Sequence, residues 1–102
     1  MNLADIDIIE GNVETDAATY YEALQRAINA GEAWKFQGSY GRTMMAAIEA
    51  GFCLLGPQPA EDACGNPIPG RDEVQPGSKG SRTYVAERQG EVWAIRMEHV
   101  AV

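Results

Sequence analysis

The sequence predicts a small single α+β domain with two helices, short extended segments and a C-terminal hairpin; the alternative is a mostly α domain with a C-terminal helix. Three observations carry this expectation. Two apolar stripes at helical spacing each close on the signature Ala-Ile-x-Ala-Gly, at Ala27–Gly31 and at Ala47–Gly51. Residues 82–100 are rich in strand formers around Gln89-Gly90, and all five prolines lie within residues 56–81. At 102 residues, with 45% apolar and 23% charged side chains, the chain has the length and balance of one folding unit.

Residues 1–13 form an acidic N-terminal segment. Asp5, Asp7, Glu10, Glu14, Asp16 and Glu22 all precede Arg26, the first basic residue. The plain reading is a solvated, partly frayed terminus; docking on a basic protein surface or mimicry of a nucleic-acid backbone competes with it. The opening MNLADIDIIEG has no basic segment and no apolar core of a signal peptide, and the longest apolar run, GFCLLG, is too short to span a bilayer. A soluble, intracellular chain is expected, with no membrane partner. Fifteen acids against eight bases give a net charge of −7, so direct binding to nucleic acid is not expected.

The first helix is predicted from Asp16 to Ala30, with Thr15 as N-cap and Tyr20, Tyr21, Leu24 and Ile28 as its core-facing stripe. The second is predicted from Tyr40 to Ala50, with Met44, Ala47, Ile48 and Gly51 on one face and Met45 widening it. That methionine pair suits plain core packing, with an adaptable binding groove as the competing role. Each helix ends at a glycine placed for a left-handed cap. Cys53, in the run GFCLL, reads as a small buried hydrophobe, and Cys64 as a loop residue; their spacing matches no zinc pattern, and free thiols are preferred to a disulfide.

Residues 56–81 hold every proline and five of the eleven glycines, which rules out a regular helix or sheet strand and predicts a long ordered loop laid over the core. Within it, turn residues alternate with apolar Ile68 and Val74. Beyond it, Gln89-Gly90 can supply the tight turn of a hairpin that sends Trp93, Ile95 and Met97 to the core, with Arg96 and Glu98 outward. In the helical alternative, Val85, Val92, Trp93, Met97 and Val100 gather opposite Glu87, Glu91 and Glu98, and Gly90 in mid-segment weighs against it.

The stretch WKFQGSYGRT, from Trp34 to Thr43, is the first candidate site. With Ala33–Gln37 extended and Gly38-Ser39 as the turn, Ser39 caps the second helix, and Arg42 and Thr43 stand on its first turn. Free amides at a helix start attract anions, so Ser39, Arg42 and Thr43 could cradle a phosphate or carboxylate if Arg42 is unpaired. Phe36 and Arg42 stand where a P-loop needs Gly and Lys, so a nucleotide-binding P-loop is excluded. No catalytic set emerges. His99 is the sole histidine and lies near the terminus, and no pair of carboxylates falls in an apolar segment. In GRDEV, Arg71 beside Asp72 and Glu73 reads as a local ion pair within the loop.

The run WKFQGSYGRTMMAAIEAG followed by LLGP, and then GNPIPGRDEVQPGSKGS, resembles a family of small uncharacterised accessory proteins from phages of actinobacteria. The resemblance spans roughly Ala33 to Val85. Such relatives tend to carry an aromatic residue between Gly-Asn and the following Pro, where this chain has only GNPIP. The resemblance implies a cytoplasmic protein of the infected cell and supplies no activity. The functional expectation is a non-enzymatic module, with no cofactor or metal, that binds a host or phage protein. Its expected surface joins Trp34, Ser39, Tyr40, Arg42 and Thr43 to Asn66, Arg71 and Asp72 of the loop. The alternatives are a small-ligand or anion-binding domain built on the Gly38–Thr43 turn and an acidic nucleic-acid mimic, and self-association is left open.

Overall fold

Capping residues in the sequence mark where the helices start. Asn2 accepts from the Asp5 amide (2.8 Å) and opens α1, Leu3–Ile9; Asp16 accepts from the Thr19 amide (2.8 Å) and opens α2, Ala17–Ala30. A single 3₁₀ turn follows at Glu32–Lys35, then α3 at Ser39–Glu49. Within residues 56–81 lies a short antiparallel pair, β1 (Ala60–Glu61) and β2 (Pro67–Ile68), with Ala60 opposite Ile68. The chain closes with α4, Arg82–Gln89, and α5, Glu91–Glu98. The computed structural model describes residues 2–36 and 39–100. The result is a small, mostly helical domain with one two-stranded pair. Among the described residues no helix is long and apolar enough to cross a membrane.

Four expectations are corrected. The acidic N-terminus is not a frayed tail but α1, held to α2 by a forked pair in which Arg26 donates from Nε (2.9 Å) and Nη2 (2.7 Å) to the buried Asp5 carboxylate. The N-cap of α2 is Asp16, one residue later than Thr15. Residues 33–35 are not extended, and of the expected segment Phe36 alone is described in extended backbone. Gly31, left-handed at φ 82°, leads straight into the 3₁₀ turn, where the Trp34 amide donates to Gly31 O (3.3 Å) and the Phe36 amide to Ala33 O (3.2 Å). Gln37 and Gly38 lie outside the described residues, so the Gly38-Ser39 turn is described only at Ser39, which starts α3.

The C-terminal hairpin is the largest correction. Residues 82–98 form two helices, in line with the helical alternative, but broken at Gly90 (φ 97°), a backbone angle that side-chain-bearing residues avoid. Burial shows the period. Trp93, Ala94 and Met97 turn inward while Ile95, which a strand would point with them, is 43% exposed and Val92 is 83% exposed. Strand propensity yields here to tertiary packing, since the inward residues cover Leu54 and Val85.

Two apolar clusters meet along the segment Cys53–Gly56. Cys53 and Leu55 join Leu24, Ile28, Trp34, Met44 and Ile48 on one side; Leu54 joins Val85, Ala94 and Met97 on the other. Tyr21 packs against both, stacked on Phe52 with ring centroids 4.3 Å apart. A single chain in the core has no neighbouring strand to satisfy its amides and carbonyls, so other groups must do so. Gln25, with no exposed surface, accepts from Leu54 N (2.8 Å) and donates to Leu54 O (3.0 Å) and to Asn29 Oδ1 (2.9 Å). Trp93 Nε1 donates to Phe52 O (2.8 Å), and Leu55 N to Gly80 O (3.0 Å).

Both cysteines are free thiols, Cys53 buried and Cys64 exposed. Burial pushes the Cys53 thiol up to about 12, so it stays protonated at neutral pH. Titration of the native protein with an aromatic disulfide reagent at pH 8 is therefore expected to release one equivalent rapidly, and the second only in denaturant. Two rapid equivalents would contradict the burial of Cys53.

Candidate functional site

The long loop is ordered by a few strong contacts rather than by regular structure. At its tip Asp62 Oδ1 accepts from the amides of Cys64 and Asn66 (both 2.9 Å), and Oδ2 accepts from the Asn66 side chain (3.1 Å). These donors hold the Asp62 carboxyl below its ordinary range. At its base Arg71 Nε donates to Leu55 O (2.8 Å), Nη2 to Asn29 Oδ1 (3.0 Å), and the Arg71 amide to Gly56 O (2.8 Å). Glu73 Oε1 accepts from the Gly70 amide (2.7 Å). Residues 56–81 thus lie over the core as the sequence predicts, with the difference that Pro67 and Ile68 pair as a strand. Proline is tolerated there because a two-stranded pair is all edge.

Folded back in this way, the loop makes a groove with α3. Met45, Ile48 and Glu49 line it from the helix, Leu55 from beneath, and Pro67, Ile68, Pro69, Val74 and Lys79 from the loop, enclosing about 460 Å³. Seven of these nine residues are apolar, and the two charges form one ion pair at the rim, Lys79 Nζ to Glu49 Oε2 at 3.6 Å. The lining includes no Ser, Thr, Cys or His side chain. Such a cleft can take an apolar side chain, and Met45, unbranched and half-buried, can adjust to its shape. The methionine pair therefore divides: Met44 is fully buried core, whereas Met45 lines the groove.

The eight residues expected at the surface divide as well. Trp34 is 5% exposed and belongs to the core, because the 3₁₀ turn rotates it inward. Arg71 is half-buried and carries the loop base. Its guanidinium satisfies backbone and Asn29 instead of pairing with Asp72 or Glu73, and burial pulls its pKa down. Both residues are corrected from contact to structural roles. Asn66 sits in the Asp62 tip, and Asp72 is exposed. On the first turn of α3, Ser39 and Arg42 are exposed, and Arg42 has no polar partner among the described residues. Tyr40 donates to Glu10 Oε2 (2.6 Å), which raises the phenol to about 12, and rests edge-on against Phe36. Thr43 lines a separate hollow of about 350 Å³ between α2 and α3.

Sequence reasoning missed Ile48, Leu55, Pro67, Pro69 and Lys79 as groove residues. The signal that pointed to the place was the apolar pair Ile68 and Val74 inside a stretch of turn formers. Among the described residues no group of three or more His, Cys, Asp or Glu side chains could hold a metal ion. Comparison with protein-family models, with curated proteins and with solved structures gives no match.

Proposed function

We propose that this chain is a non-enzymatic binding module that seats an apolar segment of a partner protein in the groove between α3 and the 56–81 loop. One observation carries the reading: a cleft of about 460 Å³ whose walls are apolar, kept open by a loop stapled at both its tip and its base. Hydrophobic grooves that take the apolar side chains of a partner segment are a recurring mode of peptide recognition. The resemblance of Ala33 to Val85 to small accessory proteins of actinobacterial phages supports a host or phage protein as the partner, met in the cytoplasm of the infected cell.

The anion-binding alternative has one favourable observation, an exposed Arg42 with no polar partner among the described residues, and one unfavourable. Tyr40 brings the Glu10 carboxylate against the first turn of α3, where it opposes an incoming anion. The groove is the better-supported site.

Affinity capture from an actinobacterial lysate, with wild-type, Ile68→Arg, Met45→Lys and Arg42→Ala baits run in parallel, tests the reading. A stoichiometric partner lost with Ile68→Arg and Met45→Lys, both verified as folded by thermal melting, and retained with Arg42→Ala is the expected result. Retention by both groove variants would remove the groove from consideration. Loss with Arg42→Ala alone would move the site to the start of α3.

A further inference from the structure

The N-terminal segment builds a second surface of different chemistry. Helix α1, residues 10–16 and the first turns of α2 enclose an open hollow of about 420 Å³. Its floor is apolar and aromatic, made by Ile8, Val13, Ala17, Tyr20 and Tyr21, and Glu14 and Asp16 stand among its lining residues. Val13 is 50% exposed, although it sits among apolar neighbours able to cover it.

The charges around this hollow are unbalanced. Of the five carboxylates up to residue 16, only Asp5 has a cationic partner among the described residues, Arg26. Asp7 meets the Asn12 side chain and Glu10 the Tyr40 hydroxyl, both neutral groups, and both carboxylates are exposed. Glu14 has no polar partner among the described residues. Asp16 uses Oδ1 to cap α2, and its lowered pKa keeps it ionised. The one cation whose field reaches Asp16 is Arg96, which is itself bonded to Glu22 (3.2 and 3.4 Å). An apolar hollow with uncompensated carboxylates beside it repels nucleic acid and complements a cationic, partly apolar chain. Tyrosine rings on the floor add a face on which a guanidinium or an aromatic side chain can rest.

We propose that the hollow between α1 and the start of α2 docks a basic segment of a partner protein, with an arginine or lysine at Glu14 and Asp16 and an aromatic or aliphatic side chain against Tyr20 and Tyr21. This surface is distinct from the loop groove and does not depend on it. Deleting α1 would not test it cleanly, because Arg26 would lose Asp5. Charge reversal at exposed positions avoids that difficulty.

The probe is a fluorescein-labelled 12-residue peptide of alternating Arg, Trp and Ser, read by fluorescence anisotropy at 50 and 200 mM salt. Control peptides replace Trp by Ser, or Arg by Glu, and a fluorescein-labelled DNA duplex is titrated separately without peptide. Glu14→Lys is expected to weaken binding about tenfold, Glu87→Lys on the exposed face of α4 less than twofold, and Ile68→Arg not at all. The Trp-to-Ser peptide should bind about fivefold more weakly, and the Arg-to-Glu peptide should not bind. Equal losses for Glu14→Lys and Glu87→Lys would overturn the proposal by showing a non-specific response to net charge. Unaltered binding by Glu14→Lys, equal affinity for the Trp-free peptide, or a direct complex with the duplex would each overturn it as well.

Discussion

Gln25→Leu is expected to lower the unfolding free energy by about 3 kcal/mol, measured by chemical denaturation. The substitution nearly keeps the volume and adds apolar surface, so a purely hydrophobic account of the core predicts little change or a gain. The hydrogen bonds predict the opposite. Gln25 satisfies both the amide and the carbonyl of Leu54, at 2.8 and 3.0 Å, within a position that has no exposed surface. Leucine would leave those two groups without partners, and each buried orphan costs about 1–3 kcal/mol. Asn29 would lose the Gln25 donor while keeping Arg71 (3.0 Å) and its own bond to Val100 O (3.0 Å), so the damage should stay centred on Leu54. Against a total stability on the order of 5–15 kcal/mol for a domain of this size, the loss is severe. A change below about 1 kcal/mol would mean that Leu54 finds other partners, and the account of the central segment would fall.

Gly80→Ala is the second large expected loss, again about 3 kcal/mol, with Gly77→Ala as its control. Both glycines are left-handed, φ 90° and 89°. A methyl group at Gly77 meets nothing within 4 Å, so its cost is conformational alone, about 1 kcal/mol. A methyl group at Gly80 would sit 2.5 Å from Leu55 Cγ and 2.6 Å from its Cδ1, with Ile48 Cγ2 at 3.4 Å. Leu55 is buried, and Gly80 O must remain in place to accept the Leu55 amide. Overpacking of this kind adds about 1–3 kcal/mol. Equal melting temperatures for the two variants would show that Leu55 is free to move, and that the groove wall it supports is soft.

How much of this could be read from the chain depends on how far each feature reaches in sequence. The helical stripes of α2 and α3 and their terminal glycines were legible, because i, i+3 and i+4 spacing and a left-handed cap are set by residues a few positions apart. The buried Cys53 was legible from the apolar run around it. The same locality misled at residues 82–100, where β-branched and aromatic residues around Gln89-Gly90 satisfy a hairpin as well as two short helices. What separates the two is the shape of the surface they pack on, Leu54 and Phe52, more than thirty residues earlier in the chain.

The candidate site shows the same division. Sequence singled out the 34–43 turn and the 65–74 loop, but it could not say which way Trp34 and Arg71 face. An exposed tryptophan and a core tryptophan look alike in a short window, as do a surface arginine and one that satisfies buried carbonyls. Asp5 is a further case: one carboxylate in an acidic run, distinguished only when α2 brings Arg26 to it.

By itself the sequence determined the length and balance of the chain, the positions of α2 and α3, the stretch that forms no long helix or strand, and a net charge of −7. Only the tertiary structure decided that the C-terminus is helical, that α1 is docked, and that the loop folds onto Met45 and Ile48 to leave an apolar groove. The reason is physical. Helix stripes and glycine caps act over a few residues, whereas the bonds from Gln25 to Leu54 and from Arg71 to Leu55 and Asn29 join groups 16 to 42 positions apart. Those partners are chosen by the need to satisfy a lone buried chain, and that need exists only once the core has closed around it.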